Sequence, residues 1–371
     1  MADLECSPAL KMQDQNDTNG WKSPYDLERE EEERELHRAQ EEFLENRRSK
    51  IRRRSHWAIG IGIFLTTFTA GSVYLLLNHY KFLLVQFGVP DYGFWGMLYR
   101  NILFLLGIFL VAGGLWGLLH ARRIKIEDYT PSPEAMMFLN QVRTTRPTYS
   151  YFLVGSIIAT YLVQLVTDAD ALVANQLPRS IELAGLIKPL VWQGEPWRLL
   201  TAATLHGGLL HIYFNSQAFY GFGTMIEMLS NRAHLSIIFL FSVLGGSALS
   251  LVMLPEGASV GASGGILGLV GYLAVYGYRR KQHLPPDFLK NMLINIAFIT
   301  AFGLVAWQLI DNWGHLGGFL IGLTYGLVQV PRDPNADPRK ISAFTDVLGL
   351  VSLVIFVLTS VLVILRLLDK I

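Results

Sequence analysis

Nine runs of mostly apolar residues divide this chain: 57–77, 102–119, 151–166, 205–226, 235–254, 261–278, 292–310, 313–330 and 347–365. Crossing the hydrocarbon of a bilayer takes about 20 such residues in a helix. Inside that layer no water satisfies backbone N–H and C=O groups, so only helices and closed barrels can span it. The period-2 alternation of barrel strands is absent from the sequence. The fold class that follows is all-α, a polytopic membrane helical bundle. A hydrophobic content of 51% over 371 residues fits it and exceeds that of an ordinary soluble domain. The runs 151–166, which is short, and 205–226, which is more polar, are the weakest spans by hydropathy alone.

Charge is distributed unevenly. Residues 1–56 hold 11 of the 31 Lys and Arg and 14 of the 30 Asp and Glu, so a charged tail precedes an apolar body. Residues 1–24 are polar, with breakers at Gly20 and Pro24, and read as unstructured. From Asp26 to Arg54 there is no helix breaker. The acidic first half and basic second half of that stretch complement a helix macrodipole. Apolar positions at heptad spacing are too few for a coiled coil, so the segment reads as a solvated helix feeding the first span. Cys6 is the one cysteine, which excludes an intrachain disulfide framework.

Four basic loops orient the bundle: 46–54 (NRRSKIRRR), 120–129, 278–283 and 331–340. Nine spans with a cytoplasmic N-terminus put all four inside, as the positive-inside rule requires. Arg366 and Lys370 then fall outside, against the trend. Near the outer interface Lys81 and Arg100 would snorkel. The first 20 residues lack the apolar core of a secretory signal, and the acid-rich start does not suit a transit peptide. A bacterial inner membrane is the expected location, with a eukaryotic secretory-pathway membrane as the alternative.

Polar residues are costly inside a membrane, so each is a functional candidate. Three clusters stand out. His206, His211 and Asn215 open the fourth span, Ser259 and Ser263 the sixth, and Asp311, Asn312 and His315 the eighth. All three spans run from outside to inside, so the clusters share one leaflet. A serine hydroxyl is a weak nucleophile until a base takes its proton, and neutral imidazole is the usual base near pH 7. Glycines at 261, 264, 265 and 268 face the possibility of glycines at 314, 317 and 318, which lets two helices approach backbone to backbone. A Ser–His hydrogen bond is then within reach. The first N–H groups of the sixth span lack intrahelical partners. His211 and Asn215, four residues apart, share a helix face and can donate to one developing oxyanion.

In order, Trp197-Arg198, then His206, His211 and Asn215, then Gly261-Ala262-Ser263-Gly264, then Gly314-His315-Leu316-Gly317-Gly318 resemble the motif set of the rhomboid intramembrane serine proteases. The resemblance runs from about residue 150 to 331. It implies a six-helix core, with a C-terminal seventh helix and two extra N-terminal transmembrane helices outside it. The domains would then be a charged cytoplasmic tail (1–56), two extra spans and a linker (57–148), the core (149–331) and a final helix (332–371). It further implies Ser263 as nucleophile, His315 as base, and an oxyanion hole of His211, Asn215 and the Ser263 amide with His206 in support. Trp197 and Arg198 would lie in a membrane-dipping loop, and Glu227, Gly261 and Gly264 would be structural. Neither metal nor cofactor is implied. The partners implied are single-pass transmembrane protein substrates, cut near a helix end and often at small residues, together with membrane lipid and no nucleic acid.

Ser263 fits the motif because Gly264 follows it, whereas Val260 follows Ser259. One departure is Leu267, at a position often aromatic in the family. Asp311, four residues before His315, reads as a helix N-cap; the alternative is a third triad member orienting His315. Two other functions compete with proteolysis. A catalytically inactive relative would bind transmembrane helices without cutting them. A channel or transporter would line a pore or bind metal with its histidines. His206 and His211 are five residues apart, about 140° around a helix, unlike zinc ligands at spacing four.

Overall fold

The computed structural model describes residues 24–82, 92–126, 133–169, 178–285, 288–306, 310–333 and 336–370. Of the stretch read as unstructured, only Pro24 lies within the described residues. Residues 170–177, after the third apolar run, and 286–287, before the seventh, also lie outside them.

Four helices lead in: α1 (Pro24–His79), α2 (Gly93–Tyr99), α3 (Ile102–Arg123) and α4 (Pro133–Thr144). Pro24 occupies the first helical position, where its missing N–H costs nothing. No glycine or proline follows until Gly60, so charged segment and first span form one continuous helix. At about 1.5 Å per residue its 56 residues outrun the bilayer, and the charged half stands beyond the hydrocarbon.

By its internal contacts the chain divides into two units. In the first, α1 up to Ile59 packs on the stretch from Ala112 to Thr130. Arg48 donates to the Ile124 carbonyl at 3.1 Å, and the buried Ser55 sits against Gly114 and Gly117. The second unit holds Gly60–Val111 and Pro131–Ile371.

The long helices of the second unit are α5 (Thr148–Thr167), α9 (Leu209–Leu229), α10 (Arg232–Met253), α11 (Ser263–Arg279), α12 (Phe288–Val305), α13 (Asn312–Gln329) and α14 (Ala343–Leu367). Between α5 and α9 the loop is built from short helices α6 (Arg179–Ala184), α7 (Lys188–Trp192) and α8 (Arg198–Thr201). Helix α10 is the most enclosed of the apolar helices and packs on α11, α13 and α14. Three buried rings lock it in place. Phe239 meets Phe219 of α9 at 4.7 Å and Phe356 of α14 at 4.9 Å, both edge to face. Such pairs add about 0.5–1.5 kcal/mol beyond their burial. At the basic end, Arg279 donates to the carbonyls of Leu327 and Val330 at the end of α13, satisfying groups the helix leaves open.

Each of the nine apolar runs falls on a helix. Among the described residues six helices, α1, α3, α5, α10, α12 and α14, are long and apolar enough to cross a membrane. The other three, α9, α11 and α13, begin at or just after the polar clusters, and α11 has only 17 residues. The chain is an integral membrane helical bundle.

The structure departs from the all-helical expectation in one detail. β1 (Leu186–Ile187) pairs antiparallel with β2 (Ala258–Ser259), Leu186 opposite Ser259. Two residues are too few to register as a periodicity, and the pairing joins segments 70 residues apart.

Helices α11 and α13 are in backbone contact. A Cβ placed on Gly322 would lie 1.8 Å from the carbonyl oxygen of Gly268. Gly322→Ala should therefore force the two helices apart and cost about 1–3 kcal/mol. A fall of several degrees in melting temperature in detergent checks this; an unchanged midpoint would mean the contact is not tight.

Candidate active site

The Ser263 hydroxyl and the His315 imidazole meet across the contact of α11 and α13, with Nε2 to Oγ at 2.8 Å. Ser263 is the first residue of α11. His315 lies in the first turn of α13. Both positions follow from where the helices begin. The glycine contact brings the two N-terminal ends side by side. Asp311 starts α13: its Oδ1 accepts the Gly314 N–H at 2.8 Å, and its carbonyl accepts the His315 N–H at 3.0 Å. Asp311 is thus the N-cap, and no hydrogen bond joins its carboxylate to the imidazole among the described residues.

His211 comes from the first turn of α9. Its Nδ1 accepts the Gly207 N–H at 3.2 Å, which leaves Nε2 to carry the proton of the neutral ring. That Nε2 faces the serine. A Cβ built on Gly261 would sit 2.9 Å from His211 Nε2 and 3.8 Å from Ser263 Oγ. Gly261 has φ +125°, a conformation open to glycine and strained for other residues. Its hydrogen in place of a methyl keeps the space between His211 and Ser263 open.

Asn215 lies one turn further along α9 and is buried. It donates one amide N–H to the His211 carbonyl at 3.1 Å. The second N–H of that amide is left for another acceptor. His206 is buried, and neither of its ring nitrogens has a hydrogen-bond partner among the described residues. It packs edge to face on His211 at 5.0 Å. Its backbone is pinned by Gln164 of α5, whose amide accepts from His206 N at 3.0 Å and donates to His206 O at 2.7 Å.

A cavity of about 40 Å³ adjoins Ser263 and His315, lined by Ala202, Ala203, Val243 and Gly246 among others. Only a small group fits there. Leu267, one turn into α11 beyond Ser263, is buried. Among the described residues no three His, Cys, Asp or Glu side chains converge to hold a metal ion.

Ser259 is not beside the imidazole. Its hydroxyl donates to Asp311 Oδ2 at 2.7 Å and accepts from Lys188 Nζ at 2.9 Å. Ser250 of α10 donates to the same carboxylate oxygen. Burial draws the Lys188 ammonium below its ordinary range, and Asp311 opposes the shift. Reading the sequence missed Gln164, Lys188 and Ser250. A lone amide in an apolar span and a lone lysine in an apolar loop were the available signals.

Arg198 organises the loop before α9. It is buried, and its guanidinium donates to Glu195 at 2.5 Å, to Gly185 O at 2.8 Å and to Glu182 O at 2.9 Å. Trp197 is held between the guanidinium groups of Arg198 and Arg366, each 4.6 Å from its ring centre. Glu227 lies near the C-terminal end of α9, away from the serine. It accepts from Ser150 N and Ser150 Oγ, both at 2.7 Å, and from Tyr149 N at 3.2 Å, capping α5. Replacing Arg198 by Leu orphans the buried Gly185 carbonyl, at about 1–3 kcal/mol, and releases the partly exposed one of Glu182. Hydrogen exchange should accelerate over residues 179–201 with little change in α10; exchange matching the wild type would show that Arg198 does not hold the loop.

Comparison with known proteins finds likenesses over this part of the chain. Residues 193–332 match the model of the Rhomboid domain. RHOMBOID-like protein 6, mitochondrial, of Arabidopsis thaliana is 36% identical over 147 residues, 38% of this chain and 46% of its own length. Rhomboid protease GluP of Bacillus subtilis (strain 168) is 32% identical over 215 residues, 57% of this chain and 40% of its own. RHOMBOID-like protein 2 of Arabidopsis thaliana is 32% identical over 188 residues, 46% and 57% respectively. The chain spans about half the length of the curated relatives it matches. These relatives come from a plant as well as a bacterium, so they give no support to a bacterial inner membrane in particular. The motif residues gathered at the head of three helices all fall within the part of this chain that matches the Rhomboid domain.

Proposed function

We propose that the chain is an intramembrane serine endopeptidase that cuts transmembrane-anchored proteins by a Ser263–His315 dyad. The observation that carries this reading is the 2.8 Å contact between Ser263 Oγ and His315 Nε2. With His315 protonated at Nδ1, Nε2 accepts the serine proton as Oγ attacks the scissile carbonyl. The oxyanion that forms is met by the Ser263 backbone N–H, which has no intrahelical acceptor at the start of α11. His211 Nε2–H and the second amide proton of Asn215 complete the hole. His315 then hands its proton to the leaving amine. A water molecule, deprotonated by the same imidazole, attacks the acyl ester and regenerates the serine. His206 backs His211 by ring packing, and Trp197 and Arg198 shape the loop beside the site.

The substrate class follows from the setting. The dyad sits where helices of the bundle begin, so a membrane-anchored segment is the polypeptide that can present itself there. The 40 Å³ cavity favours a small residue beside the bond that is cut. We assign residues 149–331 to the protease core and the N-terminus to the cytoplasmic side. The membrane that houses it is left unassigned.

The test is cleavage of a single-span substrate, with a small residue near the end of its helix, in liposomes. Ser263→Ala and His315→Ala should each abolish cutting, a loss of at least about 10³-fold. Ser259→Ala should keep the fluorophosphonate label on Ser263. A label that stays on the Ser263→Ala variant would overturn the assignment. A wild type that neither cuts nor takes the label would instead fit a relative that binds transmembrane helices without cutting them.

Acidification supplies a second check. A protonated imidazole cannot accept the serine proton, so the rate should fall at low pH with the slope of a single ionisation. Activity that stays flat from pH 9 to pH 4 would rule out His315 as the base.

A further inference from the structure

We propose that Lys188 is a positioning residue for the dyad, acting through the charge of Asp311; this rests on the protease reading above. Lys188 is 2% exposed, at the first position of α7. Burying an ammonium is costly unless it is paired and hydrogen-bonded. Here Nζ donates to Ser259 Oγ at 2.9 Å and lies 4.0 Å from Asp311 Oδ2. Ser259 passes the contact on, donating to Asp311 at 2.7 Å. Ser250 donates to the same oxygen.

Three segments therefore converge on the carboxylate that starts a fourth. Lys188 brings the loop before α9, Ser259 brings β2, Ser250 brings α10, and Asp311 starts the helix of His315. The β1–β2 pairing sets the reach, since Lys188 directly follows β1 and Ser259 ends β2. The other oxygen of Asp311 caps Gly314 N, and its carbonyl takes the His315 N–H. A shift of Asp311 is thus a shift of the first turn of α13, which carries the imidazole.

The physical role of Lys188 is to keep Asp311 ionised and in place. With the ammonium removed, the carboxylate is left largely buried without a counter-charge, its side chain 19% exposed. It must then take up a proton or move toward water. Either response loosens the cap, and a misplacement of about 1 Å at a catalytic group is enough to cost about 100-fold in rate. Lys188 does not line the cavity beside Ser263, so its replacement should largely spare substrate binding.

The experiment is a double-mutant cycle of Lys188→Met and Asp311→Asn. Met keeps the length of the lysine stem, and Asn keeps an oxygen for the cap while removing the charge. Active sites are titrated with a fluorophosphonate probe, and kcat and KM are measured per labelled site on the single-span substrate. Lys188→Met should lower kcat per labelled site about tenfold or more and change KM less than about twofold. In the Asp311→Asn background the same change should alter kcat less than about twofold.

Two results would overturn the proposal. One is an unchanged kcat per labelled site with only fewer sites labelled, the signature of a merely structural residue. The other is an equal loss in both backgrounds, which would mean that Lys188 does not act through Asp311. If Lys188→Met does not fold, the double variant decides. Restored folding with the kcat of Asp311→Asn supports the pair, and failure of both to fold assigns Lys188 to architecture alone. A wild type that neither labels nor cuts removes the protease reading itself, an outcome distinct from an active wild type indifferent to Lys188.

Discussion

A hydroxyl and an imidazole are held within hydrogen-bonding distance here because two helix backbones touch. Side chains of ordinary size between α11 and α13 would set the axes apart by the usual spacing of packed helices. Glycines remove that spacer, and the carbonyl of Gly268 lies where a methyl on Gly322 would be. Lipid tails offer no hydrophobic drive for association, so such close packing is what binds membrane helices together. The same contact then fixes where the two helices start relative to each other. Because Ser263 and His315 both lie in first turns, the start points decide whether they meet.

Around that contact the polar groups are arranged so that few are unpaired. Asp311 caps its own helix and collects two serine hydroxyls and a lysine. Gln164 pins the backbone at His206. Arg198 ties up carbonyls of a loop that has little regular structure. In a low-dielectric setting each of these would be expensive if left alone. Among the exceptions are two groups near Ser263: within the described residues the ring of His206 has no partner, and one amide proton of Asn215 is uncommitted. Unspent donors there suit the proposed role of a site that receives charge during reaction.

Ser259 and Ser263, each preceded by Gly-Ala in the sequence, have different fates for a geometric reason. Four residues separate them in sequence, yet a strand ends at Ser259 and a helix begins at Ser263. One hydroxyl points to a buried ion pair and the other to the imidazole. Glu227 belongs to neither group and fastens α9 to α5 at the far end of the bundle. Buried polar residues in this protein therefore divide into fasteners and the pair to which we assign the reaction. Proximity to His315 separates the two classes better than residue type does.

By itself the sequence determined the spans, since a run of apolar residues can satisfy its backbone in lipid only as a helix. It also made the candidates legible, because Ser263, His315, His211 and Asn215 are costly intrusions in such runs, and glycines at 261, 264, 314, 317 and 318 announced close approach. Asp311 as a cap was readable from its place before a helical run. What the tertiary structure decided was which polar groups share a point in space. Lys188 meets Asp311 across more than 120 positions, through a two-residue strand pairing that has no period to detect. Gln164 finds His206 only once α5 is packed beside the loop. Local pattern reports what a segment becomes; partners far apart in the chain are set by how helices pack, and that is not written in any one segment.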